Sequence, residues 1–479
     1  MKKVAIIGGG ISGLAAAFAL EKARQSGAAL EYQVFEASSR FGGVLRTENV
    51  EGCVLEAGPD SFLTEKSWAG DFCRELGLGD QLIASNDAER KTYIYVKGRL
   101  VPLPDGLAFM VPTKIWPIVS SPLFSLNTKL KMAKEWFSSR REEKEDESVS
   151  DFIERHYGTE MVDRLADPLL SGVYGGSAAQ LSIQSVLPRF AEMEAKFGSL
   201  GKGMLAARKT APAKPPQPVF TSLSVFTSLK NGMQQMTDTL TARIPASSLR
   251  ANTKIDSIAL RDRQWTVYTR AASERFDAIV LAAPASIAGS ILQGCSQELA
   301  ATLQQIPYSS SMTVAMGFPR DDLKSLPSGF GFLVPRSQNK KIMATTFVHQ
   351  KFPFRGTNDL GLIRCFLGGS QDEQILQADD QEITKIVREE LKQILGLNAA
   401  PKFTRVFLWR KAMAQYTVGH KKRTERIQQL TAELPQFALA GNAYSGIGIP
   451  DCIRSGQKAA LQILGALGLQ ESTKQTENS

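Results

Sequence analysis

The chain has 479 residues, 43% hydrophobic and 22% charged, which is too long for one ordinary core and predicts two or three globular domains. Its five cysteines (Cys53, Cys73, Cys295, Cys365, Cys452) are odd in number and lack CxxC spacing, which argues against disulfides or zinc and for a reducing cytoplasm. The net charge of +9 points to anionic partners; with basic residues spread along the chain and no recognition motif, nucleic acid is disfavoured against an acidic small molecule or an anionic lipid surface.

Lys2-Lys3 and the apolar Val4-Ala5-Ile6-Ile7 mimic a signal peptide, but glycines interrupt the run and no cleavage site follows. The run instead predicts a buried strand feeding the turn Gly8-Gly9-Gly10-Ile11-Ser12-Gly13 and an alanine-rich helix. In a GxGxxG turn, Gly8 permits the sharp bend, Gly10 lets backbone approach a pyrophosphate, and Gly13 lets helix and strand pack closely. The next strand, Tyr32 to Phe35, ends at Glu36 and Ala37, where the carboxylate can accept hydrogen bonds from ribose hydroxyls. Arg40-Phe41-Gly42-Gly43-Val44 follows as a loop suited to lie across a phosphate or a flavin edge.

Residues 100–137 are rich in proline and large apolar side chains, among them Phe109, Trp116, Phe124 and Phe137. Two compatible readings are the lining of a buried pocket and a surface resting on lipid, with Trp116 and Lys114 at the interface. No uncharged apolar segment reaches the roughly 18 residues that span a bilayer. The run 140–147 reads as an exposed charged hinge, helices are expected around 148–165 and 180–197, and 198–218 reads as a mobile loop carrying Lys202, Arg208, Lys209 and Lys214.

Further on, Phe226 to Leu229, a helix, the segment 249–255 and a buried strand ended by Pro284 alternate as pieces of a nucleotide-binding domain. Residues 300–404 read as strands followed by one amphipathic helix from about Asp380 to Leu395. A second glycine-rich turn, Gly441-Asn442-Ala443-Tyr444-Ser445-Gly446-Ile447-Gly448-Ile449-Pro450-Asp451, again leads into a helix. Helix N-termini behind such turns present unpaired N–H groups to anions, so both ends of the chain are expected to grip one dinucleotide, FAD. The tail 470–479 is polar and expected to be disordered.

GGGISG with Glu36, Gly42-Gly43, Glu56-Ala57-Gly58-Pro59-Asp60-Ser61-Phe62 and Gly446 to Asp451 resembles the flavin amine oxidase/phytoene desaturase superfamily. Within it, four stretches resemble the bacterial soluble type of protoporphyrinogen/coproporphyrinogen oxidase of haem synthesis: Asp167 to Gly176, Gly329 to Pro335, Trp409 to His420 and Gly448 to Ile453. The resemblance implies an α/β protein with a discontinuous Rossmann-like FAD domain (1–64, 213–295, 405–469), a mixed-sheet α+β substrate domain (65–98, 296–404) and a helical domain (99–212) that touches membrane in relatives. It also implies a six-electron oxidation of a porphyrinogen to a porphyrin, with O2 reoxidising the flavin to hydrogen peroxide. The implied location is cytoplasmic, at most peripheral at the inner face of the cell membrane, with later haem-pathway enzymes as partners.

By the same resemblance, Gly8, Gly10, Ser12 and Gly13 meet the pyrophosphate and Glu36 the adenosine ribose, with Gly9 and Ile11 also at the cofactor. Ala37, Arg40, Gly42, Gly43, Val44, Ala57, Gly58, Pro59, Asp60, Ser61, Ile255, Trp409, Ile447, Gly448 and Ile449 surround the rest of the cofactor. Such an oxidation needs a hydride acceptor, the flavin N5, and an apolar slot more than a protein acid or base, so no catalytic side chain is expected. Gly172, Tyr174 and Phe332 are the pocket candidates, and Lys66 a candidate partner for a substrate propionate. Thr92 stands where plant and animal relatives carry a basic residue, which leans to the bacterial branch. His156, His349 and His420 are far apart without ligand spacing, so no metal is expected. An FAD amine oxidase is the rival enzyme, disfavoured by the basic charge, and a non-catalytic flavoprotein carrier the rival class.

Overall fold

A computed structural model describes residues 1–140, 145–210, 224–370 and 372–469. The expected tail, residues 141–144 of the hinge and residues 211–218 of the expected loop lie outside the described residues.

The apolar N-terminal run forms strand Lys2–Ile7, the centre of a five-stranded parallel sheet. Leu30–Phe35 and then Leu249–Arg250 lie on one side of it, Ala278–Leu281 and Phe437–Leu439 on the other. Strand alternation splits the run between two cores: Val4 and Ile6 pack under helices Ile11–Gln25, Gln234–Arg243 and Ile449–Ala466. Ala5 and Ile7 face Trp265 and Phe276 of an antiparallel three-stranded sheet formed by Ile255–Arg261, Gln264–Thr269 and Ser273–Phe276. Three distant stretches of sequence thus complete one nucleotide-binding architecture.

A mixed seven-stranded sheet runs in the order Phe403–Ala414, Tyr308–Pro319, Leu360–Gly368, Ala344–Phe347, Gly331–Leu333, Thr92–Val96, Arg99–Pro102. The domain division expected between 404 and 405 falls inside its first strand. Helix Asp380–Leu395 covers one face through Ile383, Val387, Leu391 and Ile394, spaced to form one stripe. Asp379 caps its start by accepting from the Gln381 and Glu382 amides, and Gly396 ends it at φ +71°.

The third unit is helical, with Leu126–Glu135, Val149–Tyr157, Asp167–Tyr174 and Pro188–Phe197 around Phe152, Tyr157 and Leu165. The loop expected from 198 onward is instead a helix over Leu200–Thr210. Tertiary contacts override its two glycines: Gly203 lies against Met193, and buried Glu135 accepts from the Leu200 and Gly201 amides at the helix start.

Glu135 also meets the buried His156 ring, 3.3 Å away, whose other nitrogen is 3.2 Å from Glu194. Burial disfavours the imidazolium, but the two carboxylates outweigh it and hold the His156 pKa above its ordinary value. A raised folded pKa stabilises fully below the unfolded pKa and is lost as pH rises through the folded one. The melting temperature should therefore fall more steeply from pH 6 to 9 in the parent chain than in His156→Phe, and parallel curves would contradict this.

Candidate functional site

The first turn has the geometry its glycines predict. Gly8 sits at φ +111°, and a Cβ there would lie 2.4 Å from the Ala282 carbonyl oxygen. A Cβ on Gly13 would lie 1.9 Å from the Gly8 oxygen, so helix and strand touch backbone to backbone. Gly10 differs: among the described residues nothing lies within 4 Å of a Cβ built there. The helix that follows it has no side-chain cap and no acidic residue in its first turn, which leaves its N–H groups facing that open space. Glu36 is held at the turn, accepting from the Gly9 and Ser38 amides at 2.8 Å each.

The 40–44 loop closes over this turn. The Gly42 amide donates to the Gly9 oxygen at 2.8 Å, and Gly10 and Gly42 pair as a parallel bridge. The Arg40 guanidinium donates to the Phe41, Gly43 and Leu45 carbonyls, so it organises the loop rather than projecting from it. A Cβ on Gly58 would come within 2.0 Å of the Val44 oxygen, which joins the Ala57–Ser61 segment to the loop. The Thr253 amide donates to the Glu36 carbonyl at 2.8 Å and brings Ile255 close to the end of the second strand, where it is buried.

The second turn arrives beside the first. Helix Ile449–Ala466 starts at Gly448, also without a side-chain cap. A Cβ on Gly456 would stand 2.0 Å from the Ser12 oxygen. The first turn of helix Ile11–Gln25 therefore packs against the second turn of a helix that begins more than 400 residues later in sequence, at Ile449. An uncapped helix start behind a glycine-rich turn is an arrangement that suits a pyrophosphate.

Behind Ala57–Ser61 lies a buried ionic cluster that sequence reasoning missed. Arg364 donates to the Ala57 and Gly58 carbonyls, and Trp409 Nε1 and Thr313 Oγ1 each reach the Ala57 oxygen at 2.8 Å. Lys351 Nζ is 3.1 Å from Asp60. Burial alone would raise the Asp60 carboxyl pKa, yet Lys351 and Arg364 pull it well below the usual carboxylate range. Arg355 pairs with Glu56 at 2.6 Å. A signal existed: Arg364 is the only charge in the apolar strand Leu360–Gly368.

The substrate candidates fare unevenly. Gly172 and Tyr174 end helix Asp167–Tyr174 at the surface and half-buried, and Gly172 faces Leu333, 3.8 Å from its built Cβ. Phe332 is corrected: it is 1% exposed and packs on Phe347 inside the sheet core, because strand alternation turns it away from Leu333. Lys66 is salt-bridged to Asp451 at 2.5 Å, in the first turn of the last helix. Burial, with Asp451 adding, pushes the Tyr174 phenol up to about 12, so it stays neutral next to that ion pair. His420 is buried and stacked on Tyr416.

Comparison with known proteins adds an independent line. The family model for flavin containing amine oxidoreductase matches residues 11–464. The chain is 34% identical to the coproporphyrinogen III oxidase of Bacillus subtilis (strain 168), covering 97% of this chain and 98% of that protein. It is 30% identical to the coproporphyrinogen III oxidase of Staphylococcus aureus, over 97% and 100%. A crystal structure from Exiguobacterium sp. 255-15, proposed to be a protoporphyrinogen oxidase, superposes with a TM-score of 0.85 at 29% identity, covering 98% of this chain and 99% of that one.

Proposed function

Because the chain belongs to the flavin containing amine oxidoreductase family, we propose that it is an FAD-dependent oxidase that converts a porphyrinogen to a porphyrin in haem biosynthesis. The observation that carries the cofactor reading is the open space beside Gly10, at an uncapped helix N-terminus and next to the Gly9 amide that holds Glu36. Bound FAD supplies a two-electron acceptor that O2 restores, so three rounds remove six hydrogens and release hydrogen peroxide.

The protein's own part is binding and orientation. The Ile11, Ser12 and Gly13 amides would hold the pyrophosphate, and Glu36 the ribose, with Gly9 N–H keeping its carboxylate in place. The 40–44 loop, Ala57–Ser61, Ile255, Trp409 and Ile447–Ile449 would enclose the remainder. Gly172 and Tyr174 would border the substrate, with Leu333 beside them. Lys66 would reach a propionate only by leaving Asp451.

We assign coproporphyrinogen III as the substrate, supported by the bacterial relatives named for it and by the net charge of +9 against a tetra-anionic substrate. Purified enzyme should develop coproporphyrin fluorescence from coproporphyrinogen III faster than protoporphyrin fluorescence from protoporphyrinogen IX, with peroxide released. Peroxide from amines and no porphyrin would favour the amine-oxidase reading.

The helical unit carries a further part of the proposal. Ile118, Leu123 and Phe124 of the 100–137 segment are buried core, whereas Ile115, Trp116, Leu126 and Leu130 are 61–78% exposed and Phe137 is 86% exposed. Exposed Lys114, Lys131 and Lys134 accompany them. An apolar face rimmed by lysines fits peripheral contact with an anionic bilayer, and no helix among the described residues is long and apolar enough to cross one. The protein should float with phosphatidylglycerol vesicles, and Trp116→Glu combined with Phe137→Glu should abolish flotation; equal flotation of both would refute the contact.

A further inference from the structure

The segment after strand Phe403–Ala414 is the point where all three units meet, and two adjacent residues there hold two different turns. Tyr416 is 3% exposed; its phenol donates to the Asn442 carbonyl at 2.7 Å and accepts the Gly446 amide at 2.8 Å. Gly446, at φ +135°, opens the turn whose end starts the last helix, and a Cβ there would collide with Asp451. The Tyr416 ring stacks on His420 at 4.0 Å between centroids, which fixes the phenol's direction. Burial raises the phenol's pKa, so it remains a protonated donor.

Gln415 points the other way. Its Nε2 donates to the Tyr174 carbonyl at 2.6 Å and to Ser309 Oγ at 2.9 Å, and its Oε1 lies 2.0 Å from where a Gly176 Cβ would stand. The backbone completes the join, since the Ser182 amide donates to the Tyr416 carbonyl at 2.8 Å. Two neighbours in sequence thus grip the Tyr174 turn with one side chain and the Gly446 turn with the other.

We infer that Gln415 and Tyr416 are paired positioning residues: Tyr416 sets the backbone of the Gly446–Ile449 turn against the flavin, and Gln415 sets the Tyr174 turn against the substrate at a fixed distance from it. The inference rests on reading those turns as the flavin and substrate borders. Neither residue touches the reacting atoms.

The test separates the two arms. Tyr416→Phe keeps the ring stack but leaves the Gly446 N–H without its acceptor; the dissociation constant for FAD should rise about tenfold, in line with the cost of an unpaired donor, and the bound flavin's absorption bands should shift. Its KM for porphyrinogen should stay within about twofold while kcat falls. Gln415→Met should do the reverse, raising KM with the FAD constant and spectrum unchanged. If Tyr416→Phe does not fold, 3-fluorotyrosine at position 416 should shift the flavin bands instead. A Tyr416→Phe protein with parental flavin affinity and spectrum, or two variants that move the same parameters together, overturns the inference. Flavin affinity and spectrum need no tetrapyrrole, so a parent chain that binds FAD but oxidises no porphyrinogen defeats the substrate assignment alone, and one that binds no flavin defeats both.

Discussion

Gly10→Val is expected to purify as a folded but colourless protein. The φ of −72° at Gly10 suits any residue, and the space its Cβ would enter is open, so the fold loses little. The same space is where the Ile11, Ser12 and Gly13 amides converge, and an isopropyl group there would keep a pyrophosphate out of their reach. Flavin affinity should drop by more than about 100-fold, equivalent to roughly 2.8 kcal/mol, measured by FAD titration of the apoprotein, while the melting temperature of the two apoproteins stays close. Gly13→Val supplies the contrast. Its Cβ would meet the Gly8 backbone oxygen at 1.9 Å, where nothing can give way, and little soluble protein is expected. A yellow Gly10→Val protein with parental affinity would show that the open space is not the cofactor's.

Glu56→Gln should be among the most damaging single changes to stability. Glu56 and Arg355 expose 4% and 1% of their side chains, so each charge depends on the other for compensation. Glu56 also accepts from the Met233 amide at 2.7 Å and Thr47 at 2.9 Å, while Arg355 donates to Ser228 at 2.7 Å and to the Leu229 carbonyl at 3.1 Å. The amide keeps the shape but leaves a guanidinium buried without its counter-charge, which costs roughly 3–5 kcal/mol. Denaturant melting of the flavin-free protein measures it. Because the desolvation of the pair is itself costly, Glu56→Met with Arg355→Met should recover much of the loss. A single variant that melts with the parent would mean that water reaches the pair.

The cluster ties the seven-stranded sheet to the nucleotide-binding unit, so its loss should also loosen Ala57–Ser61. Arg364 and Lys351 act on that segment through its carbonyls and through Asp60.

How much was legible in the sequence follows from the range of each interaction. Gly8 to Gly13 and Glu36 could be placed because strand, turn and helix are contiguous, and Gly13 is required by the Gly8 carbonyl five residues away, although Gly8 itself meets the distant Ala282. Helix Asp380–Leu395 was equally legible, since its apolar stripe, its Asp379 cap and its Gly396 stop are all local. The helix Leu200–Thr210 was not: its glycines and lysines argue for a loop, and only Glu135 and Met193, from other helices, make it a helix. Phe332 misled for a related reason. The resemblance of Gly329 to Pro335 marks it as a pocket candidate, but which face of the sheet it takes depends on register with Thr345 and Tyr93.

The sequence by itself determined the strand, glycine turn and helix at the start of the chain and the place of Glu36 after the second strand, because those features are written in short-range spacing. Tertiary structure alone decided that Lys66 pairs with Asp451, that Arg355 and Arg364 stand behind Ala57–Ser61, and that Gln415 and Tyr416 bridge two turns. The reason is physical: a buried charge or phenol finds its partner wherever the chain's cores bring one within hydrogen-bond reach. For Arg355 and Glu56 that partner lies 299 residues away, a distance at which no local pattern survives.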